Sequence, residues 1–504
     1  MTDKIAIGRA DGRDISLLAS MGNRHGLIAG ATGTGKTVTL QTIAEGFSRI
    51  GVPVFAADVK GDLAGLAASG SSTEKLQERL QKLQLADHPF EAATVEMWDF
   101  HAASGIPLRT SVTEMGPLLL SRILFCTEPQ ASVLEIVFRI ADDKGLALLD
   151  LKDLGAMLGW IADHRDELTR EYGAITAQVL NVIRRKLATL SDAGGDQFFG
   201  EPSLALADLM RLDACGRGMI NVLDASRVLQ DPRIYTSFLL WLLSELFEQL
   251  DEVGDLDKPR LVFFFDEAHL LFEDAPKGLE ERIQRVVRLI RSKGVSIFFV
   301  TQNPADLPEK VLSQLGHRIQ HGLRAYTPKE RKALRAAARG FRENPAFDAE
   351  QVLQELSTGE ALVSVLDENG APGIVERVLV APPRSRIGPL LAEERAALLV
   401  RSTLRAKYEH PVDRESAYEM LRGRADVAEP TREEEQSLLH FLQGTDRSSR
   451  PVASEPVRSG KQRDDVRDAF LKSAARSIGS SVGRGIVRGV LGSIFGRRRC
   501  PRWQ

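Results

Sequence analysis

Residues 30–37 read Gly-Ala-Thr-Gly-Thr-Gly-Lys-Thr, which satisfies the pattern G-x-x-x-x-G-K-[ST]. Few stretches of this length restrict a fold so strongly. Glycines at 30, 33 and 35 let the backbone fold back and turn successive N–H groups toward one anion. A helix starting just behind them adds the positive end of its dipole. The flanks supply what such a loop requires. The run 25–29, HGLIA, reads as a buried strand, 37–50 as a helix, and 52–57, VPVFAA, as the next strand. Strand, helix and strand at this spacing predict a parallel sheet with a right-handed crossover. Nucleotide phosphates would lie against Gly30, Ala31, Thr32, Gly33, Thr34, Gly35, Lys36, Thr37 and Val38. Lys36 would reach the β- and γ-phosphates, and the Thr37 hydroxyl would bind Mg2+. ATP and Mg2+ are therefore the expected cofactors.

A second element lies at 261–267, LVFFFDE. A buried strand that ends in two carboxylates is costly unless a cation meets them. Mg2+ beside a triphosphate is such a cation. Asp266 would then hold the metal, and Glu267 would orient and deprotonate the attacking water. The next apolar run, 298–304, FFVTQNP, puts Gln302 at the carboxyl end of a strand, where parallel sheets bind ligands. Gln302 would contact the γ-phosphate or its water. Asp58, Lys60 and Asp62 fall at the same end of the strand 52–57, either as site residues or as an ordinary polar loop. His269 carries no assignment.

Arg282, Arg285, Arg288 and Arg291 recur every three residues along the amphipathic helix expected over 278–293. They are either a solvated basic face or the source of a guanidinium that completes a neighbouring subunit's site. Arg318 and Arg324 are further candidates, and the pattern alone does not choose among the six.

Along the chain, 1–61 reads as the first part of an ATPase core and 62–217 as a mostly helical insertion. Short strands near 94–98 and 106–109 interrupt that insertion. The α/β rhythm returns over 218–422, with strands expected at 218–224, 261–265, 295–300 and 318–324. A hairpin is expected from 360–366 and 373–379. Continuous rather than alternating apolar runs suit strands covered on both faces. Segment 423–468 is rich in Pro, Ser and charge and reads as a disordered linker, and 469–504 as a basic, glycine-rich tail.

With 504 residues, 43% hydrophobic and 27% charged, the chain can bury a large core. Its net charge of −3 excludes a uniformly basic nucleic-acid binder. The charge is unevenly placed, because Arg458 onward holds 12 Lys/Arg against 3 Asp/Glu. That tail could contact nucleic acid, an anionic membrane surface or another copy of itself. Three widely spaced cysteines form no disulfide framework, and no apolar run is long enough for a membrane span. A cytoplasmic location is expected.

GATGTGKT, DVKGDL, FFFDEAH, RLIRSKGVSIFFVTQNPADLP and LGHRIQHGLRAYTPKE together resemble the HerA-like branch of the HerA–FtsK P-loop ATPases. More narrowly, they resemble a bacterial group described as helicase HerA-like, the YjgR-like proteins. The resemblance covers most of 1–422. It implies a RecA-like core of the additional-strand type, with a strand inserted between the P-loop strand and the acidic-pair strand. It also implies a ring, a hexamer, with ATP at subunit interfaces. Arg291 matches the arginine that acts in trans in that group, and Gln302 its γ-phosphate-sensing residue. HerA itself moves on double-stranded DNA with a nuclease partner. Two departures bear on that activity: HerA's N-terminal barrel has no counterpart ahead of Gly30, and a long helical segment follows the second strand.

The expectation is an oligomeric, Mg2+-dependent ATP hydrolase. One reading makes it a DNA translocase or helicase-like motor. The other makes it an ATP-gated switch or scaffold for proteins, indifferent to DNA and held by its tail to a membrane surface or to itself.

Overall fold

The computed structural model describes residues 3–226, 232–273 and 277–428. The helix Ala417–Ala428 begins before the segment read as linker and runs into it. The remainder of 423–468 and the whole tail 469–504 lie outside the described residues.

Twelve strands form one sheet within the unit Met1–Arg422. In chain order they are β1 (Lys4–Ala10), β2 (Arg13–Leu18), β3 (Gly26–Ala29), β4 (Val54–Asp58), β5 (Val95–Asp99), β6 (Ile106–Pro107), β7 (Ile220–Asp224), β8 (Leu261–Phe265), β9 (Val295–Thr301), β10 (His317–His321), β11 (Glu360–Ser364) and β12 (Glu376–Val380). Their spatial order is β2-β1-β12-β11-β10-β3-β9-β8-β4-β7-β5-β6. From β10 to β6 all pairs are parallel. From β10 to β2 they are antiparallel. β9 lies between β3 and β8, which is the additional-strand arrangement the resemblance implies.

Alternation along the parallel strands divides two cores. Phe263 and Phe265 face one cluster, while Val262 and Phe264 face the other. All four are fully buried, as two-sided coverage requires. Helix α1 (Lys36–Arg49) packs on the second face through Leu40, Ile43, Ala44 and Phe47. The first face is covered by helices of the segment 62–217, among them Val112–Ile123 and Glu128–Asp143, together with Pro232–Gln249 and Lys277–Ile290. That segment also contributes β5 and β6 to the common sheet, because Val95–Asp99 pairs in parallel with β7.

The N-terminal hairpin β1–β2 was not anticipated. It joins the sheet because β1 pairs with β12, some 370 residues away (Gly8 opposite Val380). β10 is shorter than the expected strand and ends at His321, beyond which residues 322–326 carry no regular structure. The β11–β12 hairpin forms as expected, with Glu360 opposite Leu379.

Candidate nucleotide site

Parallel strands put the loops that follow them on one edge of the sheet. The glycine loop follows β3, Lys60 follows β4, Asp266 and Glu267 follow β8, and Gln302 follows β9. Residues separated by as many as 272 positions (Gly30 and Gln302) thus meet at adjoining strand ends.

The loop itself is shaped by its glycines and by β10. Gly30 has φ +152°, and a Cβ there would lie 2.5 Å from that of His321. Gly35 has φ +114°, and a Cβ would meet the Gly359 backbone at 3.2 Å. Backbone bonds run from Ala31 N to the Gly322 carbonyl (3.1 Å) and from Gly359 N to the Thr34 carbonyl (2.8 Å). Behind the loop, His321 Nδ1 bonds the Glu360 carbonyl and Nε2 meets the Thr39 hydroxyl, both at 2.9 Å. Burial pushes His321 down to about 4, so the ring is neutral. With Nδ1–H donating to the carbonyl, Nε2 accepts from Thr39. Neither His321 nor Gly359 announces this in the sequence, because their partners are remote.

Lys36 is buried, and its Nζ donates to the Gly30 (2.6 Å) and Ala31 (3.1 Å) carbonyls. Burial, followed by the nearby Lys60 charge, lowers its pKa, whereas Glu267 and Asp266 oppose the drop. The Lys36 ammonium is therefore within electrostatic range of both acids. Thr32 and Gly33 are exposed, while Thr34, Gly35, Thr37 and Val38 are half-buried.

Asp266 and Glu267 are buried. Burial pushes the Asp266 carboxyl up to about 6 against the pull of Lys60, and Glu267 adds to the rise. Tyr235, fully buried on the helix Pro232–Gln249, donates its hydroxyl to the Asp266 carbonyl at 3.0 Å. Glu267 adopts φ +49°, a left-handed conformation uncommon for such a residue. Its carboxylate pairs with Lys60 Nζ at 2.7 Å and lies 3.4 Å from Gln302 Nε2 and from His269 Nδ1. Burial raises the pKa of Glu267, but the Lys60 bond and charge outweigh it and hold the group below the usual range.

Arg291 stands elsewhere. It lies in a short turn before β9, whereas Gln302 follows β9. Seven residues of strand separate them, about 20 Å at roughly 3.3 Å per residue. Arg291 makes a 3.5 Å contact with exposed Asp255 and lines a cavity of about 460 Å³ with Arg24, Arg288 and Arg318. Arg318 is held by the Gly340 (2.9 Å) and Leu312 (3.3 Å) carbonyls. Arg324 is exposed in the loop after β10, and Arg282 and Arg285 stay on the helix Lys277–Ile290.

The family model described as "Helicase HerA-like C-terminal" matches residues 4–500. The chain belongs to this HerA-like family. A probable helicase of Methanocaldococcus jannaschii is 34% identical over 154 residues, which span 29% of the HerA-like chain and 28% of that protein. Among solved structures, the HerA-like chain is similar to the plasmid coupling protein TrwB in complex with a non-hydrolysable GTP analogue. That likeness has a TM-score of 0.50 and 12% identity, over 75% of this chain and 90% of TrwB. TrwB in complex with ADP and Mg2+ gives the same score and identity over 75% and 89%. At that identity the shared property is the fold. No helix among the described residues is long and apolar enough to cross a membrane.

Proposed function

We propose that this HerA-like chain is an oligomeric, Mg2+-dependent ATP hydrolase acting as a motor on double-stranded DNA. The observation that carries the ATPase part is the meeting of the glycine loop, Asp266, Glu267 and Gln302 on one sheet edge, with Lys36 in the field of both acids.

The donors fit the group they would hold. The Thr37 hydroxyl and the Asp266 carboxylate are hard oxygen ligands, suited to Mg2+ together with phosphate oxygens. Bound there, Mg2+ would neutralise charge on the β- and γ-phosphates. Lys36 would turn from the loop carbonyls to those phosphates. Glu267 takes a proton from water as its oxygen attacks the γ-phosphorus, and the bond to the ADP oxygen breaks, leaving ADP and phosphate. Gln302, 3.4 Å from the Glu267 carboxylate, would orient that water.

Arg291 would act at a neighbouring copy's nucleotide. On the far edge of the sheet it does not reach its own chain's loop, so a role at a nucleotide requires a second copy. A ring, in the family manner a hexamer, supplies one. The DNA part draws on HerA-like membership and on the relative described as a probable helicase. ATP turnover with and without double-stranded DNA, on a sample of measured oligomeric mass, tests it. Turnover that DNA leaves unchanged removes the motor; no turnover removes the ATPase.

A further inference from the structure

Lys60 is the side chain in closest contact with the candidate general base, and the reaction above gives it no task. Its position is built. Asp58, at the end of β4, accepts N–H bonds from Gly61 (2.7 Å), Asp62 (3.1 Å) and Leu63 (2.8 Å). These bonds close a tight turn after the strand, with Gly61 at φ +79°. The turn carries Lys60 over the end of β8, where its Nζ meets Glu267 Oε1 at 2.7 Å.

Two facts make this pair more than a surface ion pair. Glu267 is buried and its side chain has little exposure, whereas the side chain of Lys60 is 34% exposed and borders solvent. Lys36, on the Gly30 and Ala31 carbonyls, and Lys60, on Glu267, each feel the charges of Asp266 and Glu267. The two ammonium groups offset the two carboxylates, so a further anion gains only on the side where it can contact the ammonium groups directly.

The pair opposes catalysis as it stands. A carboxylate bound to an ammonium at 2.7 Å accepts a proton less readily. Something must draw Lys60 away when substrate is present. A terminal phosphate carries more negative charge than a carboxylate and would sit between the Lys36 loop and Glu267.

We infer that Lys60 is a substrate-binding residue whose ammonium exchanges Glu267 for the γ-phosphate, so that the base is released only when a triphosphate occupies the loop. The inference rests on the ATPase reading and adds a residue and a control to it. With a diphosphate there is no γ-phosphate to receive Lys60, and Glu267 stays latched. No proton changes hands in the exchange, since Lys60 remains an ammonium throughout.

The test compares Mg2+-dependent binding of ADP and of the imido analogue of ATP by calorimetry, using the full chain. Wild type, Lys60→Met and Lys60→Arg are measured side by side. Lys60→Met is expected to lose about tenfold or more in affinity for the analogue, the scale of one charge-assisted contact, and to keep ADP affinity within about twofold. Lys60→Arg should recover most of the loss. Retained ADP binding shows that the loop is intact. A parallel fall for both nucleotides, or no change for either, overturns the inference while leaving the ATPase reading in place. A wild type that binds neither nucleotide overturns both.

Discussion

Gly359 donates its backbone N–H to the Thr34 carbonyl at 2.8 Å, so the turn ahead of β11 grips the middle of the glycine loop. The grip is itself anchored. Arg79, from the helix Glu74–Lys82, donates to the Gly359 (2.6 Å) and Val380 (2.7 Å) carbonyls. The loop's shape therefore depends on a side chain from another part of the sequence.

Arg79→Ala should consequently act at a distance. Two backbone carbonyls lose a charged donor, at a cost of about 1–3 kcal/mol in stability. Affinity for Mg2+–ADP should fall several-fold through loosening of the 358–360 turn. Denaturant unfolding with and without nucleotide separates the two effects. Unchanged affinity beside lowered stability would show that the turn does not shape the loop.

Lys36→Ala and Glu267→Gln should divide binding from chemistry. The first removes the buried ammonium from the loop and should abolish detectable nucleotide binding. The second keeps size and one acceptor oxygen but removes the base and its charge. Nucleotide affinity should persist while kcat falls by about 10²–10⁴. Steady-state turnover alongside calorimetry reads both, and turnover near wild type in Glu267→Gln would refute its role as base.

Arg291→Ala should bind nucleotide normally yet hydrolyse it poorly, because the residue lies on the edge remote from its own loop. Mixing Arg291→Ala subunits with Glu267→Gln subunits offers a sharper measurement. Some interfaces in the mixture join an intact base to an intact arginine, so activity should exceed that of either variant alone. A mixture no more active than its parts would assign Arg291 a structural role.

The pH response follows from Asp266. Burial raises its carboxyl to about 6, against about 4 in an unfolded chain. The folded protein therefore holds this proton more tightly than the unfolded one. The resulting stabilisation is complete below about pH 4 and is lost as pH rises through about 6. Mg2+ needs the carboxylate, so its apparent affinity should climb with pH up to about 6 and then level off. Binding at pH 5.5 should release protons, measurable as a difference in heat between buffers of unlike ionisation enthalpy. A flat Mg2+ affinity across pH 5–7 would remove Asp266 from the metal shell.

How much of this was legible beforehand differs by feature. The eight residues of the glycine loop carry their own conformational demands, so strand, turn and helix could be read from one contiguous stretch. LVFFF announced a strand covered on both faces, and FFFDE an acidic pair that needed a cation. The hairpin β1–β2 was not legible, since its place in the sheet is set by β12 at the other end of the core. Strands β5 and β6 were visible as short apolar runs, but that they extend the main sheet depends on pairing with β7.

The order of the chain alone settled which chemical groups were available: a phosphate-wrapping loop, a buried strand ending in acids and an amide after the next strand. Those properties reside in neighbouring residues and survive without knowledge of the fold. Tertiary structure decided what touches what. It put Lys60 on Glu267, set His321 and Gly359 behind the loop, and sent Arg291 to the opposite edge. Such pairs join residues tens to hundreds of positions apart, and their distances follow from strand order and register, which no local pattern encodes.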